Sequence, residues 1–262
     1  SQVHQATLLQ LDGVKWVIGN ADKMNCHHVI DQHFHREEPL LQTPKIARKP
    51  FRITTPSIDQ YHTRANIKIQ DGCDFYCAFC VIPFARGPAR SRVYDDIIQE
   101  CMTLAESGHQ EIVITGINVG TYDNDQKTIC DVIKGICAIK KIKRVRLSSI
   151  EPTTIPEALI ELMNTEPKFC RYLHIPLQSA CNNTLTAMAR KYTIEDARKF
   201  IDYAYKKVPG ICIGTDIIVG FPGETKADFD QTVAHLLTMP IHYMHVFSYS
   251  ERKFARSVKK DH

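Results

Sequence analysis

Three cysteines within eight residues, Cys73, Cys77 and Cys80, constrain this chain more than any other feature. They follow a short β-type run at 65–70, which predicts that they sit on the loop leaving a strand. Soft thiolates this close together select an iron–sulfur cluster, zinc or Cu(I) over hard ions. A four-iron cluster normally takes four thiolates. A C-x3-C-x2-C run supplies three and leaves one iron open to a small molecule, much as catalytic zinc sites keep an open position. Structural zinc favours paired C-x2-C knuckles, but zinc completed by a neighbour such as His62 stays open on spacing alone. Gly72, Pro83, Gly87 and Pro88 flank the run and give the backbone freedom that a tight ligand loop needs.

The chain's 262 residues suffice for one large domain, or for one domain and a fragment of another. With 44% hydrophobic and 24% charged residues it reads as an ordinary globular protein. No apolar run is long enough to span a bilayer, and no signal segment opens the chain, so neither a membrane nor secretion is expected. Ten cysteines without a small secreted framework fit a reducing cytoplasm. The net charge of +4 permits an anionic partner without requiring one. A start at Ser1 and an end at His262, just after a basic segment, lead us to expect a fragment.

Residues 3–11 read as a helix, 14–19 as a short strand and 20–35 as a polar, histidine-rich stretch with helical character. Pro39, Pro44, Pro50 and Pro56 recur between basic residues, which predicts an extended linker over 39–60, a leading unit over 1–38 and the main domain over 61–262. Strand patterns follow at 66–70, 111–115, 144–149, 172–175, 212–219 and 242–249. Helical patterns at 94–107 and 127–139 lie between them, and Thr193–Asp196 and Thr225–Asp228 are capping boxes that open two more. The alternation predicts parallel strands in an α/β fold, a partial (β/α)6 barrel with its chemistry at the C-terminal strand ends. Cys101, Cys137 and Cys212 fit apolar positions, and the isolated Cys26, Cys130, Cys170 and Cys181 are not expected to ligate anything.

Several runs share a pattern beyond the cysteines. They are Thr63–Cys73, Ile82–Arg92, Ile114–Gly120, Leu147–Pro152, His174–Ser179 with Met188–Thr193, and Asp216–Thr225. On these the chain resembles the radical S-adenosylmethionine (SAM) methylthiotransferases, and most of all the branch acting on threonylcarbamoyladenosine in tRNA. The resemblance implies a radical SAM barrel preceded by a remnant of an α/β N-terminal domain. It implies that Cys73, Cys77 and Cys80 hold a [4Fe–4S] cluster whose open iron takes SAM. It further implies that Phe79, Thr115, Gly116, Asn118, Ser149, Glu151, Gln178 and Gly220 surround that SAM. Gly116 would let backbone approach a ligand closely. Arg86, Arg90 and Arg92 would meet phosphates of the tRNA anticodon loop, where arginine suits bidentate contact and unstacked bases are accessible. The basic tail Arg252, Lys253, Arg256, Lys259 and Lys260 would do likewise.

In that family a 5′-deoxyadenosyl radical abstracts hydrogen from C2 of the modified adenine, sulfur comes from an auxiliary [4Fe–4S] cluster, and a second SAM gives the methyl group. An electron donor such as flavodoxin or ferredoxin, and a cytoplasmic setting, are implied as well. The family's auxiliary cluster rests on three further cysteines near the N-terminus, whereas only Cys26 precedes Cys73 here. The ligands of that second cluster are therefore expected to be absent, leaving as alternatives a remnant that binds cluster, SAM or tRNA without completing methylthiolation, or a relative acting on isopentenylated tRNA or a ribosomal protein.

Overall fold

The structure is a computed structural model that describes residues 2–53 and 62–259. Tyr61, where the main domain is expected to begin, lies outside the described residues, as do Pro56 and Lys260.

The leading segment carries helix α1 (Gln5–Leu9), strand β1 (Trp16–Ile18), a 3-10 turn at Lys23–Asn25, helix α2 (Cys26–His33) and strand β2 (Leu40–Gln42). β1 and β2 pair in parallel, Val17 opposite Leu41. A strand thus forms at residues 40–42, inside the stretch whose prolines read as extended linker. Phe51 then bridges to Arg92 and carries the chain to the main domain.

The main domain repeats strand and helix. β3 (Arg64–Lys68) leads through the short β4 (Gln70–Asp71) to the cysteine loop, helix α3 (Ile82–Arg86) and β5 (Arg90–Ser91), which pairs antiparallel with β4. Helix α4 (Tyr94–Glu106) precedes β6 (Glu111–Thr115), and a tight hairpin of β7 (Asp123–Asn124) and β8 (Lys127–Thr128) precedes helix α5 (Ile129–Cys137). Then come β9 (Arg144–Leu147), α6 (Glu157–Thr165), β10 (Tyr172–His174), α7 (Asn182–Ala187), α8 (Ile194–Lys207), β11 (Cys212–Val219), α9 (Lys226–Leu237) and β12 (Tyr243–Ser248). β3, β6 and β9 form one parallel sheet and β10, β11 and β12 another. Isolated parallel bridges, Val145 to Phe169 and Ser149 to His174, join them. Among the described residues six parallel strands thus follow one another across a curved surface, as the alternating pattern predicted.

The core lies between this surface and the helices. Ile112, Ile114, Val145, Leu147, Leu173 and Ile213 are buried from the strands. They meet Ile97, Cys101 and Leu104 of α4, Ile133 and Ile136 of α5 and Ile201 of α8 in one apolar cluster. Burying side chains of this size yields roughly 1.5–3 kcal/mol each, which is what fixes the helices to the sheet. The two expected capping boxes are present: Thr193 Oγ1 accepts from Asp196 N, and Thr225 Oγ1 from Asp228 N, each at 3.2 Å. Among the described residues no helix is long and apolar enough to cross a membrane.

Candidate functional site

Every parallel strand of the main domain ends on the same side, and the cysteine loop follows the first of them. Cys73, Cys77 and Cys80 are free thiols, all half-buried. They line one cavity of about 310 Å³, together with Phe79, Gly116, Asn118, Ser149, Glu151, Gln178 and Arg190. Six of the predicted SAM-side residues therefore meet the three cysteines. Thr115 and Gly220 do not stand in that wall: Thr115 Oγ1 donates to Ile67 O at 3.1 Å, and Gly220 N donates to Glu224 Oε2 at 2.6 Å in a turn beyond it.

The loop keeps its shape through the backbone. Gly72 has φ +75°, and a Cβ there would lie 2.0 Å from Pro88 O, so only glycine fits. Tyr76 in the loop (φ 52°) and Gln178 in the cavity wall (φ 71°) occupy the left-handed region without being glycine. Such strain persists where the surroundings over-determine it, commonly at functional sites. Ala78 N donates to Met188 O at 2.8 Å, and Ser257 N to Ala78 O at 2.9 Å, so the loop is held from two distant parts of the chain. The tail takes part in that support, since Arg256 donates to Tyr76 O.

Gln70 has a role the sequence reading did not assign. Its side chain is fully buried, and Nε2 donates to Gly72 O at 2.8 Å. Oε1 accepts from Ile117 N and Asn118 N, both at 2.9 Å. One amide thereby ties the cysteine loop to the turn after β6. The same side chain, with Val119, crowds the position of a Gly116 Cβ at 3.1 and 2.9 Å. Gly116 therefore lines the cavity and also leaves room for these two side chains to pack.

Arg190 is the other residue missed. Its side chain is 3% exposed. Nη2 donates to both Glu151 oxygens, at 2.7 and 2.9 Å, and to Pro176 O at 2.9 Å, while Nη1 donates to Cys77 Sγ at 3.3 Å. Burial pushes the Glu151 carboxyl above its ordinary value, and Arg190 opposes that shift. Glu151 is expected beside SAM and does line the cavity, but its oxygens are already engaged by Arg190. The one signal for Arg190 in the sequence was its place in the Met188–Thr193 run, three positions before the helix cap Thr193.

The three arginines after the loop divide differently from expectation. Arg92 does not face a substrate. It is fully buried, its Nε donates to Asp96 Oδ2 at 2.5 Å and its Nη1 pairs with Glu100. The phosphate role is corrected accordingly, because two carboxylates of α4 draw the guanidinium inward and pair a charge that could not otherwise be buried. Arg86 and Arg90 both reach the buried Asp71, at 3.5 and 3.2 Å.

A further polar group lines the parallel strands. Asp216 Oδ1 sits 2.9 Å from His174 Nε2 and 3.0 Å from His245 Nδ1. Burial raises the Asp216 carboxyl, but the bonds and charges of the two imidazoles outweigh it and hold the group below its usual range.

The cavity suits an iron–sulfur cluster with a bound small molecule. Three soft donors face one space. Asn118 Nδ2 is buried there with no hydrogen-bond partner among the described residues, a donor left over for a ligand. Cys73 is pushed up to about 11 by burial, with Cys77 and Cys80 adding to the rise, so that a metal bound there must deprotonate this thiol.

The family model described as "Radical SAM superfamily" matches residues 67–236. Over 257 residues the chain is 36% identical to threonylcarbamoyladenosine tRNA methylthiotransferase MtaB of Bacillus subtilis, covering 96% of this chain and 57% of that protein. It is 40% identical over 186 residues to tRNA-2-methylthio-N(6)-dimethylallyladenosine synthase of Endomicrobium trichonymphae, covering 71% of this chain and 44% of that protein. The chain thus spans about half the length of these curated relatives. Among solved structures, the radical S-adenosylmethionine methyltransferase TsrM of Kitasatospora setae aligns with a TM-score of 0.69 at 16% identity, over 88% of this chain and 50% of that one, a likeness of fold.

Proposed function

This chain belongs to the radical SAM superfamily, and from that membership we propose that it is the radical-generating part of a tRNA methylthiotransferase. Its cofactors are a [4Fe–4S] cluster and SAM. The substrate we propose is N6-threonylcarbamoyladenosine next to the anticodon, modified at C2. The observation that carries the reading is the single cavity shared by Cys73, Cys77, Cys80 and the strand-end groups Asn118, Glu151 and Gln178.

When bound, a reduced cluster with SAM on its open iron supplies one-electron cleavage of the sulfonium and a carbon radical able to take hydrogen from an unactivated C–H bond. The residues do the rest. Cys73, Cys77 and Cys80 would hold the cluster. Asn118 offers a free N–H donor and Gln178 an amide that both donates and accepts, which suits the amino-acid and ribose ends of SAM. Arg190 fixes Glu151 and Cys77 together, so the wall and the cluster loop keep one geometry. Phe79 and Ile117 make the cavity partly apolar and limit water around a reactive carbon centre. An electron donor of the flavodoxin or ferredoxin class would supply the electron.

The test has two stages. Anaerobically reconstituted protein with dithionite and SAM is expected to release 5′-deoxyadenosine, read by chromatography; none from fully loaded protein would end the radical reading. Nucleosides from tRNA carrying either threonylcarbamoyladenosine or dimethylallyladenosine, treated with the protein, are then analysed by mass spectrometry. Transfer of deuterium from a C2-labelled base into 5′-deoxyadenosine, or thiolation, confined to the dimethylallyl tRNA would overturn the substrate, in favour of the activity named for the Endomicrobium relative.

A further inference from the structure

Asp71 gathers more positive charge than it can neutralise. Its carboxylate is 1% exposed. Lys68 Nζ lies 2.7 Å from Oδ2, Arg90 Nη2 3.2 Å and Lys23 Nζ 3.6 Å, and Arg86 Nη1 lies 3.5 Å from Oδ1. Four cations therefore share one anion. These are not free surface charges, because the side chains of Lys23, Lys68 and Arg90 are 34%, 26% and 12% exposed. Partly desolvated charge without a counter-ion is unfavourable, and a protein relieves it by binding an anion or by losing a proton.

The same residues enclose a space. Lys23, Lys68, Arg90 and Arg52 line a cavity of about 300 Å³ between the 3-10 turn of the leading segment and the strand that feeds the cysteine loop. Asp71 is the only carboxylate among its described lining residues, and it is already shared four ways. Phe51 forms one wall, with Lys68 Nζ and the Arg90 guanidinium 5.8 and 5.3 Å from its ring centre. Arg90 Nε is buried and has no hydrogen-bond partner among the described residues. A fixed N–H donor left unpaired beside two lysines and an arginine is what a planar or tetrahedral oxyanion requires.

We propose that this cavity is an oxyanion site, built by the leading segment and the main domain together, and that its ligand is an oxyanion of the RNA substrate. This second half rests on the tRNA reading above. Carboxylate and phosphate share the necessary chemistry, and such an RNA can offer both: backbone phosphate, and the carboxylate of a threonylcarbamoyl group. Arg90 and Lys68 give directional contacts, while Lys23 and Arg52 supply charge from the other side. Lys23 is drawn down to about 8, chiefly by burial and then by Lys68, which the shared charge of Asp71 offsets only in part.

The site is tested first with inorganic phosphate alone. Thermal unfolding of the wild-type chain is followed against phosphate and against chloride at matched ionic strength, since a ligand that binds only the folded state raises the midpoint. The comparison is a Lys23→Gln, Arg52→Gln variant, which leaves the two closest partners of Asp71 in place. A phosphate-specific rise in the wild type that disappears in the variant is expected; an equal rise in both, or none in the wild type, overturns the site. The source is read separately by anisotropy with anticodon stem-loop RNAs bearing adenosine or threonylcarbamoyladenosine. Equal weakening of both RNAs in the variant, with a salt slope smaller by roughly one to two, identifies backbone phosphate. Weakening confined to the modified RNA identifies its carboxylate. If the variant loses its phosphate response yet binds both RNAs as the wild type does, the site stands and RNA as its ligand is wrong.

Discussion

Arg190 and Glu151, 39 residues apart in the chain, meet in a two-pronged ion pair at 2.7 and 2.9 Å inside the cavity wall. The same guanidinium donates to Cys77, so the cysteine loop and the end of the third barrel strand share one cation. Removing one partner of such a pair leaves a buried charge alone, which costs about 3–5 kcal/mol. Arg190→Met is accordingly expected to lower stability by about 3 kcal/mol, while Glu151→Gln together with Arg190→Met loses less than the two single changes combined. Urea unfolding of the four proteins of this cycle measures it. Additive losses would mean that the pair is not coupled.

The three cysteines make the next expectation. Iron and sulfide analysis after anaerobic reconstitution should give about four irons per chain in the wild type and close to none after Cys73→Ala, Cys77→Ala or Cys80→Ala. Cys130→Ala is the control, since that thiol is buried in the apolar cluster on α5. Because burial holds Cys73 near 11, this ligand must give up a proton on binding a metal. Cobalt(II) affinity, followed at the thiolate charge-transfer band, should therefore rise between about pH 6.5 and 8.5. A flat profile would mean that Cys73 is already ionised.

Much of this site was legible because its signals are local. The cysteine spacing, the flanking glycine and the strand–helix alternation each occupy a few neighbouring residues, and the parallel strands fall within a few residues of where the apolar patterns put them. What escaped the sequence depends on partners far along the chain. Arg92 was expected to meet a phosphate, but Asp96 and Glu100 stand one and two turns further on the following helix and pull it inward. Arg190 and Gln70 carry no motif of their own; their roles come from carbonyls, amides and a thiol supplied by other strand ends. The strand at Leu40–Gln42 was hidden by prolines on both sides, since three residues are too few to show a period.

Gln70 offers a test of positioning separate from ligation. Gln70→Leu keeps the volume but removes the acceptor for Ile117 N and Asn118 N and the donor for Gly72 O. Each buried group left without a partner costs about 1–3 kcal/mol, so a loss of at least 2 kcal/mol is expected in urea unfolding. With the cysteine loop detached from the turn after β6, SAM affinity should fall about tenfold even in protein that still holds its cluster, a loss of about 1.4 kcal/mol. Unchanged SAM binding in the loaded variant would show that the amide supports the fold alone.

The last expectation concerns acid. Burial by itself would raise the Asp71 carboxyl, but the Lys68 bond and the charges of Lys68, Lys23 and Arg86 override it and hold the group at about 2. A carboxylate whose folded value is depressed contributes stability that is fully present above its unfolded value of about 4 and is lost as pH falls toward the folded one. The depression amounts to about 2.5 kcal/mol between those limits. Asp71→Asn should be less stable than the wild type near neutral pH, because it strands Lys68 and Arg90 as half-buried cations. The gap between the two proteins should stay constant down to about pH 5 and then narrow by about 2 kcal/mol by about pH 2, as the wild type protonates and loses the same interactions. Urea midpoints at a series of pH values decide this, at fixed ionic strength because screening weakens the half-exposed partners. A gap that does not narrow would mean that the cations around Asp71 do not hold its carboxyl below the ordinary value.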